Sequence, residues 1–183
     1  MKRFVFIIIT ALCFSVCQSQ TRVVSLGTFK NRIAETEFEV RACFNEQTLI
    51  YAEFECLLMP KETKGIIRIK AKDLPLFVES LNRIESELAS FKTFCLNNNY
   101  SDIRTEANVN FPKVDYIWDD HQECNSQFDI LLQANEDSSF TSCILHEAFD
   151  DGASANFFMQ FYTPYEINIL ALRLCEDNID VHK

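Results

Sequence analysis

Residues 36–44 read TEFEVRACF, and polar and apolar side chains alternate along this stretch. A period of two is the pattern of a β-strand that buries one face. A second run with the same period follows at residues 50–58, and its inward face would carry Ile50, Ala52, Phe54, Cys56 and Leu58. Joined by a loop at residues 45–47, the two runs predict an antiparallel hairpin.

The length of this loop determines which residues face each other across the hairpin. A loop of the three residues 45–47 sets Phe38 opposite Phe54 and Ala42 opposite Ile50, so both apolar faces lie on the same side. Because a slip of one residue would turn a whole strand over, this agreement selects the register.

The same pattern occurs again 90 residues later without a gap. TEFEV at residues 36–40 is matched by SQFDI at residues 126–130, and Asn45-Glu46 is matched by Asn135-Glu136. Similarity at a fixed distance indicates a repeated architecture. We therefore expect an internal repeat of about four strands followed by one helix.

Each half ends in a segment whose apolar residues have helical spacing. In the first half, Asp73 is a suitable N-cap and Pro75 lies in the first turn, where a missing N–H group costs little. In the second half, Thr163-Pro164-Tyr165-Glu166 has the sequence of a capping box. These signals predict two long helices packed on a sheet.

The repeat divides the chain into residues 20–98, a connector at residues 99–106, and residues 107–183, packed as one globular unit. The expected fold class is α+β, with mainly antiparallel sheet and two long helices. A unit of four strands plus one helix that occurs twice resembles in topology the Whirly-type single-stranded nucleic-acid binders, whose two sheets pack together. The main rival architecture is a single larger antiparallel sheet with both helices on one face.

The first residues predict export. Lys2 and Arg3 precede an apolar run from Phe4 to Val16, and residues 17–19 offer a small-residue cleavage site. This is the pattern of a secretory signal peptide at residues 1–19, and the run is too short to span a bilayer. We expect a secreted or periplasmic protein. The alternative is a lipoprotein anchored at Cys17.

The charge of the chain disfavours nucleic acid as a partner. The sequence carries 17 Lys plus Arg and 27 Asp plus Glu, a net charge of −10. Removing residues 1–19 takes away Lys2 and Arg3 and no acid, which makes the balance −12. No basic motif matches the nucleic-acid-binding strand of a Whirly-type protein. We therefore expect no nucleic-acid partner, although the topology resembles that family.

Six cysteines follow the predicted cleavage site, an even number that allows up to three disulfides in an exported chain. Sequence does not choose among the pairings, and buried free thiols are the alternative. The predicted hairpin points Cys56 inward and Cys43 outward, which argues against a bond between these two. The candidates are Cys43, Cys56, Cys95, Cys124, Cys143 and Cys175.

Asp119, Asp120 and His121 are candidate metal ligands, since two carboxylates and an imidazole lie side by side. A solvated acidic loop is the simpler interpretation of this segment. No catalytic residue can be assigned, because the sequence contains no nucleophile elbow and no phosphate loop. No cofactor is expected.

One strand differs between the two halves. Before the first helix the outward residues are Arg68, Lys70 and Lys72, whereas the matching residues of the second half are Phe158, Gln160 and Tyr162. A strand that is apolar on both faces has to be covered. Cover could come from within the chain, or from a partner or second copy. Candidate interface residues are Phe158, Tyr162 and Trp118.

Two functions are compatible with these patterns. The first is an exported, acidic, non-enzymatic binding module that recognises a protein, a peptide or a small apolar ligand, or assembles into a homo-oligomer. The second is a metal-assisted hydrolase that uses Asp119, Asp120 and His121. No segment after the predicted signal peptide is long and apolar enough to be transmembrane.

Overall fold

The structure is a computed structural model that describes residues 21–31, 36–59, 63–137, 139–150, 153–161 and 163–183. The predicted signal peptide, the alternative anchor Cys17 and the interface candidate Tyr162 lie outside the described residues.

The first half contains four strands and a long helix. They are β1 (Thr21–Asn31), β2 (Thr36–Asn45), β3 (Thr48–Met59), β4 (Thr63–Lys70) and, after a 3-10 turn, α1 (Leu74–Asn98). The second half contains six strands and two short helices. They are β5 (Ile103–Glu106), β6 (Val114–Trp118), β7 (His121–Ser126), β8 (Ile130–Ala134), β9 (Phe140–Asp150), β10 (Ala153–Phe161), α2 (Pro164–Leu174) and α3 (Glu176–Asp180).

The ten described strands form one curled antiparallel sheet, which confirms the α+β class. The strand order is β5-β8-β9-β10-β3-β4-β6-β7, and β1 pairs with β2, which pairs with β3. The sheet branches at β3, because β4 occupies one edge while β2 and β10 share the other. The single larger sheet is therefore the architecture observed, rather than two separate packed sheets.

The hairpins of the two halves have matching registers. Val40 pairs with Phe54 in the β2–β3 hairpin. In the β8–β9 hairpin Ile130 pairs with Ile144, and each of these residues lies 90 positions after its counterpart in the first hairpin. The predicted three-residue loop is wrong, and so are the predicted pairings of Phe38 with Phe54 and of Ala42 with Ile50. A two-residue turn and a bulge between Cys43 and Phe44 place Ala42 opposite Ala52 instead.

The first strand of the second half is β5, which lies within the residues predicted as a connector. Ile103 pairs with Ala134 at the end of β8, as Arg22 pairs with Phe44 at the end of β2. The β6–β7 hairpin is an addition to the second half, and it extends the sheet beyond β4.

The two helices differ in length. α1 has 25 residues and ends with Asn99 in the left-handed conformation (φ 55°), where the Tyr100 N–H group donates to the Cys95 carbonyl oxygen at 2.9 Å. α2 has only 11 residues, because Cys175 is extended (φ −68°, ψ 153°) and separates it from α3. Among the described residues there is thus one long helix where two were predicted. Asp73 precedes α1 but makes no capping hydrogen bond through its side chain.

Aromatic rings from both halves form the centre of the core between the helices and the sheet. Phe77 of α1 contacts Phe54 of β3 and Phe128, which precedes β8, at centroid distances of 6.1 and 4.8 Å. α1 also packs on β8 and β9 of the second half, while α2 packs on β1 of the first. Each helix therefore covers strands of the other half, and the two halves share one core.

A glycine allows the sheet to curl. A Cβ atom built on Gly65 of β4 would lie 2.5 Å from Cε1 of Phe157, so the ring occupies the space that any other side chain would need. From this position Phe157 contacts Tyr116 and Trp118 of β6, at centroid distances of 4.8 and 5.6 Å. The inner face of β10 therefore meets the inner face of β6.

The N-terminus of α2 provides the first prediction. The Thr163 N–H group donates to Oε2 of Glu166 at 3.4 Å, and a carboxylate in the first turn also favours the helix dipole. We expect Glu166→Ala to lower the free energy of unfolding by about 1 kcal/mol, measured by urea denaturation. Glu166→Gln keeps the acceptor and should retain most of that stability. Equal losses in the two variants would contradict a capping role.

Candidate functional site

The end of the curled sheet that carries the start of α1 contains a pocket. The extended residue Cys175 redirects the chain after α2, so that α3 returns toward the first turns of α1. The Asn178 side chain fixes this return, because its amide donates to the carbonyl oxygens of Arg173 at 2.9 Å and Leu26 at 3.4 Å. The space between α1, α2 and α3 is left open.

The pocket has a volume of about 250 Å³ and an apolar floor. The floor consists of Leu49, Leu74, Pro75, Val78, Leu174 and Ile179. Glu176, Asp180 and Lys183 form a charged rim. Lys183 Nζ lies 2.5 Å from Asp180 Oδ1, and this hydrogen bond raises the pKa of the lysine. Because this pair is neutral, the Glu176 carboxylate gives the rim a net negative charge.

The thiol of Cys175 also lines the pocket. Its Sγ atom donates to the Leu172 carbonyl oxygen at 3.0 Å, so the thiol is occupied in ending α2. The pocket therefore combines shape, apolar surface and charge, which are the properties of a small-ligand site.

The metal candidates lie elsewhere. Asp119 and Asp120 form the two-residue turn between β6 and β7, and His121 begins β7. All three are exposed. Within the described part of the chain, no three His, Cys, Asp or Glu residues come close enough together to hold a metal ion.

A different histidine, which is not among the candidate metal ligands, has several side-chain partners in the structure. The ring of His146 of β9 stacks on Tyr116 with a centroid distance of 3.8 Å and an interplanar angle of 7°. His146 Nε2 lies 3.2 Å from Oε1 of Glu123, which also accepts a hydrogen bond from Ser126. β10, β3 and β4 lie between β9 and β6 in the sheet, so this stack connects strands that are not neighbours.

Burial of Tyr116 raises the pKa of its hydroxyl, and that hydroxyl donates to the Gln127 carbonyl oxygen at 2.9 Å. The tyrosine is therefore a neutral structural group. The stacking of His146 on Tyr116 and its contact with Glu123 are therefore structural contacts, and they hold β9 against β6 and β7 in the curled sheet.

The interface candidates are not brought together. Phe158 pairs with Leu57 of β3, on the outer face, and is half-buried. Trp118 is on the inner face, 8% exposed, with its ring against Phe157. The two residues therefore do not form one surface.

Two residues of the predicted basic stripe have acidic partners within the chain, Arg68 with Glu53 at 2.9 Å and Lys70 with Asp115 at 3.9 Å, whereas Lys72 is exposed. Across β2, β3, β4 and β6, the paired residues Arg41, Glu53, Arg68 and Asp115 alternate in charge. Glu53 is 5% exposed, and its carboxylate oxygens lie 3.0 Å from Arg41 Nη2 and 2.9 Å from Arg68 Nη2. Lys70 Nζ lies 2.5 Å from the Asn125 side-chain oxygen. The outer face of these four strands thus carries a ladder of ion pairs.

All six cysteines after the predicted cleavage site are free thiols in the structure. Cys56 points inward, as predicted, and is fully buried, which raises its pKa. Cys43 lies on the opposite face yet is only 2% exposed. Burial also raises the pKa of Cys143, whereas Cys124 is exposed.

No family model matches this chain, and neither the curated proteins nor the solved structures contain a significant match. The described helices include none with the length and apolar character needed to cross a membrane. The fold and the pocket are therefore the basis for assigning a function.

The ion-pair ladder provides the second prediction. Glu53→Gln leaves Arg41 and Arg68 without their shared countercharge, so we expect the free energy of unfolding to fall by about 2 kcal/mol, less than for a fully buried pair. Glu106→Gln, at an exposed position of β5, is the matched control and should change stability little. If both variants unfold at the same urea concentration as the parent protein, the ladder does not stabilise the fold.

Proposed function

We propose that the protein is a non-enzymatic binding module that holds a small apolar ligand in the pocket between α1, α2 and α3. The observation that carries this proposal is the apolar floor beneath a charged rim, in a pocket of about 250 Å³. Pockets that bind small molecules are concave and mainly apolar, with a few polar groups that orient the ligand.

The size of the pocket limits the ligand. A dry protein cavity of about 150 Å³ admits a benzene ring, so this pocket has room for a somewhat larger apolar group. The negative rim favours a ligand whose polar end is neutral or positive over one that carries a carboxylate or sulfonate. Export by the predicted signal peptide is part of the same proposal, and it would give the module access to ligands outside the cytoplasm.

The described residues give the alternative, a metal-assisted hydrolase, no comparable support. Its predicted ligands lie exposed in the β6–β7 turn and at the start of β7, and the described residues contain no group of three or more His, Cys, Asp or Glu that could hold a metal ion. We therefore keep the binding module as the proposed function.

The test uses two fluorescent probes of similar size and different charge. We expect N-phenyl-1-naphthylamine, which is neutral, to bind with higher affinity than the anionic 8-anilinonaphthalene-1-sulfonate. Val78 lies on the pocket floor, so Val78→Trp should fill the pocket and lower the affinity for the neutral probe about tenfold or more, a loss of about 1.4 kcal/mol. Fluorescence titration measures both affinities.

Val23→Trp is the matched control, since Val23 is 56% exposed on β1 and does not line the pocket. This variant should bind the neutral probe as the parent protein does. Circular dichroism would verify that both variants are folded. Failure of the parent protein to bind either probe, or equal affinity in the Val78→Trp variant, would contradict the proposal.

A further inference from the structure

The outer face of α1 has an uncharged surface that no described element of the chain covers. Its residues recur at three-to-four spacing and are exposed over four turns of the helix. They are Asn82, Ser86, Ala89, Ser90, Thr93 and Asn97. In a chain with a net charge of −10, a helix face of this length without charge is unusual.

The hydroxyl groups on this face already have partners. Ser86 donates to the Arg83 carbonyl oxygen, Ser90 to that of Ser86, and Thr93 to that of Ala89, each at 2.9 Å. These three hydroxyl groups therefore need no further acceptor. A partner packed on this face would leave none of these three donors without an acceptor.

An exposed aromatic ring lies beside a depression on the same helix. Phe94 is 53% exposed, and its ring is 5.6 Å from that of Tyr100, which is 50% exposed. A shallow groove of about 520 Å³ runs past Phe94 and is otherwise lined by Ala89, Ser90, Thr93, Asn97 and Asn98. The ring and the groove are therefore both exposed on this side of α1.

We propose that this face binds a second copy of the chain through an antiparallel, two-fold α1–α1 contact. A helix turns by about 100° per residue, so Ala89 and Ser90 lie on the two sides of the contact, and a two-fold axis between them brings each near its own symmetry mate in the partner copy. The same axis sets Ser86 opposite Thr93. Small residues at the crossing let the two helix backbones approach closely.

The charges that flank the face match across this axis. Glu85 and Lys92 lie on one side of it, both exposed, and the two-fold brings Glu85 of each copy beside Lys92 of the other. On the other side, Phe94 of each copy meets Arg83 of the other, a suitable arrangement for a cation–π contact. A second copy is therefore a better occupant than an unrelated helix, which would have to supply this pattern separately.

A charge-swap experiment tests this geometry, because Glu85 and Lys92 are seven residues apart and lie about 10 Å from each other along their own helix. They cannot form an ion pair within one copy. We expect Glu85→Lys and Lys92→Glu each to raise the dimer dissociation constant about tenfold, and the double variant to restore it to near the parent value. Analytical ultracentrifugation over a wide range of protein concentration measures this constant.

Ser90→Glu places a carboxylate at the centre of the contact and should abolish the dimer without affecting folding, since the position is exposed. Ser101→Glu, exposed and beyond the helix, is the matched control and should leave the dimer intact. Lys92 also lies 5.7 Å from the Phe140 ring in its own chain, so thermal unfolding of each variant separates loss of stability from loss of association.

Three outcomes would overturn the inference. They are a parent protein that is monomeric at every concentration, a double charge swap that fails to restore the dimer, and a dimer that Phe158→Asp disrupts but Ser90→Glu does not. The last would assign self-association to the outer face of the sheet, as considered from the sequence. The Val78→Trp pocket variant should dimerise normally, because Val78 lies about 17 Å along α1 from the crossing point between Ala89 and Ser90.

Discussion

The ring of Phe157 lies where a side chain on Gly65 would otherwise be, and the curvature of the sheet depends on this fit. β10 pairs with β3 over only three residues, Asn156 to Phe158. Such a short ladder fixes the direction of β10 weakly. The contacts of Phe157 with Tyr116 and Trp118, and the stacking of His146 on Tyr116, hold β9 and β10 over β6.

The curl in turn creates the space that the helices fill. Its inner face accepts α1 and α2, and the aromatic rings around Phe77 join the two halves in one core. Since α2 ends early at Cys175, α3 covers the end of this space incompletely, which forms the pocket. The long α1 has the core on one side and solvent on the other. The pocket and the proposed dimer face therefore have separate structural origins.

Local sequence patterns predicted many of the strands and the long helix α1. They did not predict the contacts between residues that are far apart in the sequence. Alternation predicted β2, β3, β8 and β9, and the repeat predicted that their hairpins correspond. The bulge at Cys43 shifted one register, because a bulge depends on how a strand bends and twists within the sheet. The pairing of Arg68 with Asp115 requires β4 to lie beside β6, and no sequence pattern predicted that these strands are neighbours. The pocket requires the second helix to end at Cys175, and no sequence pattern predicted this break either.

A double-mutant cycle between Gly65 and Phe157 tests most directly whether this fit sets the curl. In an unobstructed strand, alanine is at least as stable as glycine. If the ring fills the space, Gly65→Ala lowers the free energy of unfolding by about 2 kcal/mol, and it costs little in a chain that already carries Phe157→Leu. Urea denaturation of the four proteins gives the coupling energy. Purely additive effects, or a stabilising Gly65→Ala in the parent protein, would contradict the account.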